Sequence, residues 1–203
     1  MTRSHRMYGF ISDLMKITDD SEFTKLFSRI EKYESISDRM EVEIAAYLTK
    51  VSEGRLSAEG KIESICDSIY NLARTLNRKN KGKSDFTEAQ YEHIGRMSEL
   101  VDGNLTNIEK FLSGGSKGID HNVILNVENE INNYRTELKN KNVLDVDSHA
   151  YDYQMGVYYT DMICDYEKIG DYIINVLEAR FGQKLTAWFE KKEISLRAQN
   201  EKC

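Results

Sequence analysis

Two carboxylates one helical turn apart, with an asparagine a turn further on, occur twice in this chain. They are Glu63, Asp67 and Asn71 in ESICDSIYNLAR, and Glu167, Asp171 and Asn175 in EKIGDYIINVLE. Glu63, Ile65, Asp67, Ile69 and Asn71 all meet their counterparts at one offset of 104 residues. Residues i and i+4 share a helix face, so each pair projects as a unit. Carboxylates turned together toward a neighbouring helix repel one another and resist desolvation, and a bound cation relieves both effects. An all-oxygen donor set suits Mg, Ca, Mn or iron rather than a structural zinc site. One such pair carries little weight, since chance alone supplies about half a dozen in so acidic a chain, most of them solvated. The repeat carries more, because Ile65, Ile69 and Leu72 flank the first pair as Ile169, Ile173 and Val176 flank the second. Duplicated ion ligation and an inherited surface pattern are the two readings.

Further acids lie nearby. Glu34, Asp38 and Glu41 form a stripe at i, i+4 and i+7, and Asp161 and Asp165 are again four apart. The last two point about 160° away from the Glu167 and Asp171 face, so one helix cannot offer all four to one ion. For these stripes, plain surface charge competes evenly with ligation. The histidines His5, His93, His121 and His149 are scattered, and none follows a Glu by three residues, so the E-x-x-H signature of di-iron bundles is missing. GGSKG at 114 to 118 fits G-x-S-x-G but has no strand before it. GKS at 82 to 84 resembles the end of a phosphate-binding loop, but Asn77 stands where glycine is required. Neither supports an enzyme.

The elements that must position these acids are helices. The chain of 203 residues has no proline, which leaves long helices uninterrupted. Apolar periodicity predicts an amphipathic N-terminal segment at 5–17, with Met7, Phe10, Ile11 and Leu14 on one side. Helices follow at about 21–53, from Ser57 to 80, 85–113, 120–142, 147–181 and 184–201. Gly54 reads as a stop, and Asp85 with Glu88 reads as a capping box. GGSKGID is the best interior boundary. The expected fold is all-α: an N-terminal helix or connector over 1–20, then two tandem three-helix bundles over 21–115 and 116–203, with the acidic motif on the middle helix of each.

Charge and composition narrow the function. The formal net charge of −6 argues against nucleic acid as a partner, and the basic run RTLNRKNKGK at 74 to 83 reads as a solvated hairpin tip. Cys66, Cys164 and Cys203 form no C-x-x-C and leave an odd thiol, which fits a reducing compartment, with the cytoplasm as the default. No stretch approaches the roughly 18 apolar residues of a membrane span, and the N-terminus is too mixed for a signal peptide.

Laid out this way, ESICDSIYNLAR and EKIGDYIINVLEAR resemble the E-R-I-G-D signature of PhoU domains, which occurs once in each of two three-helix bundles in that family. RIEKYESISDRMEVEIAAYLTKVSEGRLS resembles the soluble PhoU-like domain that follows the membrane part of bacterial sodium/phosphate cotransporters. The resemblance implies a cytoplasmic regulator of phosphate uptake, peripheral to the inner face of the membrane, with a membrane phosphate transporter as partner in cis or in trans. It implies no turnover, and leaves a homodimer open. Its acidic motifs would bind divalent or trivalent metal ions, reported as multinuclear iron clusters in some members. The ligands would fall on Glu63, Asp67, Glu167 and Asp171, with Glu34 and Asp38 as a facing pair and Asn71 and Asn175 behind them. A metal-dependent helical-bundle enzyme and a purely structural interaction domain are the alternatives. Within the resemblance, the 1–20 segment is either a connector to a membrane part or a packing helix.

Two departures predict an asymmetry. Cys66 stands where the motif has glycine, whereas Gly170 keeps it, and the larger side chain is expected to crowd a close helix contact. With Glu43 taken as equivalent to Glu130, the first half is 17 residues short between that position and the motif. A hairpin turning near 55 and 56 then places Glu63 opposite Leu48, roughly 15 to 20 Å along the helix from Glu34 and Asp38. The second site is therefore expected to be the better formed.

Overall fold

A computed structural model describes residues 1–51, 58–82, 85–114 and 121–181. Among them the chain is all-α: α1 (Thr2–Leu14), α2 (Asp20–Val51), α3 (Ala58–Asn80), α4 (Glu88–Gly114), α5 (His121–Asp147) and α6 (Tyr153–Phe181). The expected helix at 184–201, the Gly54 stop, the Ser57 cap and most of GGSKGID lie outside the described residues.

Local chemistry sets the helix starts. Asp19 caps α2, its Oδ1 accepting from the Glu22 amide at 2.8 Å. Before α4 the capping box is not Asp85 with Glu88 but Thr87 with Gln90. The Gln90 amide donates to Thr87 Oγ1 at 3.2 Å, and the Thr87 amide donates to Gln90 Oε1 at 3.0 Å. Asp85 is engaged elsewhere, accepting from Lys79 Nζ and the Tyr91 hydroxyl. The α5–α6 boundary also differs from the expected 142 and 147, because the polar cluster at 145–148 closes α5 instead of opening α6. The Ala150 amide donates to Asp145 O at 2.9 Å and the His149 amide to Val146 O at 3.1 Å, with His149 at φ 59°. This is a Schellman closure with histidine in the left-handed position that glycine usually fills. Asp152 then caps α6 through the Met155 amide.

Apolar faces arrange the helices in two groups. α1 packs on α2 and α3, α4 packs on α5 and α6, and α3 lies against α6 as the seam. Ile65, Ile69 and Leu72 on α3, and Ile169, Ile173 and Val176 on α6, are all fully buried. Burial stabilises by about 1.5–3 kcal/mol for each such aliphatic side chain, so these six are a large part of the core carried by α3 and α6. α1 is a packing helix, with Met7, Tyr8, Ile11 and Leu14 buried. Tyr8, rather than the half-buried Phe10, completes its apolar face, and its hydroxyl donates to Ser98 O on α4 at 2.7 Å. His5 adds a second tie to α4, between Asp102 Oδ1 at 3.0 Å and Glu109 Oε2 at 2.9 Å. No described helix is long and apolar enough to cross a membrane.

Candidate metal centre

α2 and α3 are antiparallel, and their register is fixed by side chains well away from the connection between them. Tyr70 stacks obliquely on Phe27 and donates to Glu31, and Cys66 lies against Ser37. That register brings Glu34 and Asp38 of α2 to Asp67 of α3, one carboxylate oxygen from each lying within 4.8 Å of the others. All three side chains are half-buried. Glu63, one turn before Asp67, adds a fourth carboxylate, and Glu41 a fifth charge.

The electrostatics follow from this crowding. Burial pushes the Glu63 carboxyl up to about 8, helped by a hydrogen bond with Asp67 and by the charges of Asp67, Glu41 and Asp38. Burial also raises Glu34, with Asp38, Asp67 and Glu31 adding to it. None of the ion pairs among the described residues reaches Glu34, Asp38, Glu63 or Asp67. The crowding of like charge thus favours the protonated form of Glu63.

The expected displacement of the first motif does not occur. Glu63 faces Glu41 and Asp38 rather than Leu48, a difference of seven residues. The assumed equivalence of Glu43 with Glu130 causes the error. By their contacts with the motif helices, Ser37 and Glu41 correspond to Ile131 and Arg135, 94 residues on, an offset that carries Glu34 and Asp38 onto Glu128 and Asn132, while the α3 and α6 motifs correspond at 104. The first half is shorter by ten residues, and the missing length falls beyond Glu41 and before Glu63, leaving the site intact. Cys66 does not crowd the contact either. Its Sγ meets the small Ser4 and Ser37, whereas a Cβ on Gly170 would already touch Ile131 Cδ1 at 3.4 Å. Each half pairs a larger residue with a smaller one, on opposite helices.

The second half holds a different set. Glu167 is paired with Arg135, Nη2 to Oε1 at 2.6 Å. Asn132 donates to Glu128, and Asn132 Oδ1 and Arg135 Nε are buried without a protein partner. Burial raises Glu128, with the charges of Asp171 and Glu167 adding to it. Asp171 is raised by burial and by Glu167, against the opposing pull of Arg135. The spacing of the α6 motif gave no warning of Glu128. The signal was the 94-residue repeat of α2 on α5, in which Ile30 and Ile124, both fully buried, also coincide.

Asn71 does not stand behind the carboxylates. A helix turns about 80° beyond a whole number of turns over eight residues, and Asn71 lines a groove between α3 and α6 with Arg74, Arg78, Cys164 and Lys168. Asn175 is half-buried on α6. Asp161 and Asp165 face that same groove and are satisfied there, Asp161 by Arg78 at 2.8 Å and Asp165 by Lys168 at 2.9 Å.

Comparison with known proteins bears on the second half directly. Residues 94–179 match the PhoU domain. That span covers most of α4, all of α5 and nearly all of α6, with Glu128, Arg135, Glu167 and Asp171 inside it. Over 88% of its length the chain is similar in fold to the phosphate transport system regulatory protein PhoU from Streptococcus pneumoniae, with a TM-score of 0.64 over 87% of that chain. The two are 13% identical, so the likeness is one of fold. Among curated proteins no sequence matches this chain. The acidic motif lies on the last helix of each group, α3 and α6, rather than on a middle one, because α4 packs on α5 and α6 and not with α2 and α3 as a 21–115 bundle requires.

Proposed function

We propose that this chain is a metal-binding regulatory domain of the PhoU kind, which controls phosphate uptake by acting on a membrane phosphate transporter. The observation that carries the metal site is the convergence of Glu34, Asp38 and Asp67, with Glu63 held protonated beside them. Oxygens bound to one ion at about 2.0–2.5 Å stand roughly 3 to 5 Å apart, so the observed spacing fits a hard or borderline cation such as Mn, iron, Mg or Ca with little movement. Those four residues would hold the ion, which would neutralise the cluster and lock α2 to α3. Nothing in the arrangement supplies a nucleophile with a base beside it, and a regulatory role without turnover is the reading this supports.

The transporter partner is supported by the match of residues 94–179 to the PhoU domain. A sodium/phosphate cotransporter is the form favoured by the 29–57 stretch. Its cytoplasmic face is the place for a domain whose net charge of −6 gives no attraction to anionic lipid. The test is elemental analysis of protein purified without chelator, with melts in EDTA and in Mn²⁺. Bound metal and a higher Tm in Mn²⁺ are expected. No metal and no shift would overturn the metal centre, and unchanged phosphate-responsive uptake in cells lacking the domain would overturn the transporter role.

A further inference from the structure

The two halves share a register but not a charge. At the positions of Asp38 and Glu41 in the first half, the second carries Asn132 and Arg135. One carboxylate has become a neutral amide and another a guanidinium. The change falls on the residues that face the α6 motif, since Arg135 contacts Glu167 as Glu41 approaches Glu63. The first half thus gathers Glu34, Asp38, Glu41, Glu63 and Asp67, a formal −5 when all are ionised. The second gathers Glu128, Glu167 and Asp171 around Arg135, a formal −2.

The geometry points to Arg135 as the resident cation of the second half, standing where the first half takes a metal ion, so that the chain loads metal in the first half alone. This rests on the metal centre proposed above. The Arg135–Glu167 pair is well shielded, its side chains 29% and 15% exposed, against 52% and 38% for the surface pair Arg78–Asp161. A shielded pair is less screened and holds its partners in place. A divalent ion entering beside the guanidinium would meet like charge at short range, with only two net negative charges to compensate. Asn132, already donating to Glu128, offers the ion no charge of its own.

The test uses the full chain, stripped with EDTA and titrated with Mn²⁺. Wild-type uptake should disappear in Glu34→Gln/Asp38→Asn/Asp67→Asn and stay within about twofold in Glu167→Gln/Asp171→Asn. In EDTA, Arg135→Met should lower Tm by about 4 °C or more, and adding Glu167→Gln should recover part of the loss by removing the stranded carboxylate. Asn132→Asp/Arg135→Glu, which rebuilds the first-half pattern, should melt early in EDTA, regain its Tm in Mn²⁺ and bind additional metal. Equal loss of metal from the two carboxylate variants would overturn the proposal, as would an unchanged Tm of Arg135→Met in EDTA. A wild type that takes up no Mn²⁺ overturns the first-half centre. The Arg135 assignment is then decided by the EDTA melts and by whether Asn132→Asp/Arg135→Glu acquires a site.

Discussion

Glu63 shows how one side chain reports the state of its cluster. Its carboxyl titrates at about 8 in the folded, metal-free chain and near 4.5 when unfolded, so between those values the folded state holds the extra proton. Stability falls with rising pH wherever the folded state binds more protons. Metal-free protein should therefore lose Tm steadily from pH 5 to pH 8, as the Glu63 proton is given up into a nest of like charge. Glu63→Gln removes the titrating group and should flatten that slope, raising Tm at pH 8 by about 2–4 °C, the effect of about 1 kcal/mol in a chain of this size. Melts in EDTA across pH 5–9 check it, and a wild-type slope of opposite sign would refute the account. A bound cation does the proton's work, so the Mn²⁺-induced rise in Tm should be larger at pH 8 than at pH 6.

The helices meet through specific close approaches, and the tightest described one is at the start of α6. A Cβ placed on Gly156 would lie 2.4 Å from Val146 Cγ2 of α5 and 3.4 Å from Asn142 Oδ1. Asn142 depends on that approach, donating to Gly156 O at 3.1 Å and Thr160 Oγ1 at 2.8 Å while accepting from the Tyr151 hydroxyl at 2.6 Å. Alanine at 156 has the better helix propensity, but the clash forces α5 and α6 apart and strains a buried polar network. Gly156→Ala should cost about 1–2 kcal/mol by urea denaturation. Val146→Ala in the same chain should return part of it, because the double change restores the room without touching Asn142. If the glycine change alone is neutral or stabilising, α5 and α6 do not need this contact.

Across the whole molecule the seam of α3 on α6 decides whether the halves act as one. Its fully buried isoleucines belong to both groups, while its surface ion pair, Arg78 with Asp161, is half exposed. Ile69→Ala should cost about 2–4 kcal/mol, whereas Asp161→Asn should change stability by less than about 1 kcal/mol. Because the apolar seam is shared, Ile69→Ala should lower a single transition rather than split it. Calorimetry showing two separated transitions in the wild type would mean that the halves fold independently and that the seam is secondary. The ties of Tyr8 and His5 from α1 to α4 act in the same direction, since they fasten one group to the other at a second place.

Helix content, the internal repeat and the acidic character of the motif are properties of the sequence itself. They depend on local periodicity and on residue type: the absence of proline, the 3.6-residue recurrence of apolar side chains, and the matching of Glu63 and Asp67 to Glu167 and Asp171 are visible without a partner helix. Which carboxylates meet was not visible in the same way, because it depends on the register between helices far apart in the chain. A seven-residue error in matching α2 to α5 turns the face of a helix and moves Glu63 from Glu41 to Leu48. Only tertiary packing fixed that register, through Phe27 on Tyr70, Ser37 on Cys66 and Ile131 on Gly170. Once it was fixed, Glu128 and Arg135 took their places opposite the second motif. The charge of a site is a sum over residues from several helices, and the spacing along one helix cannot supply that sum.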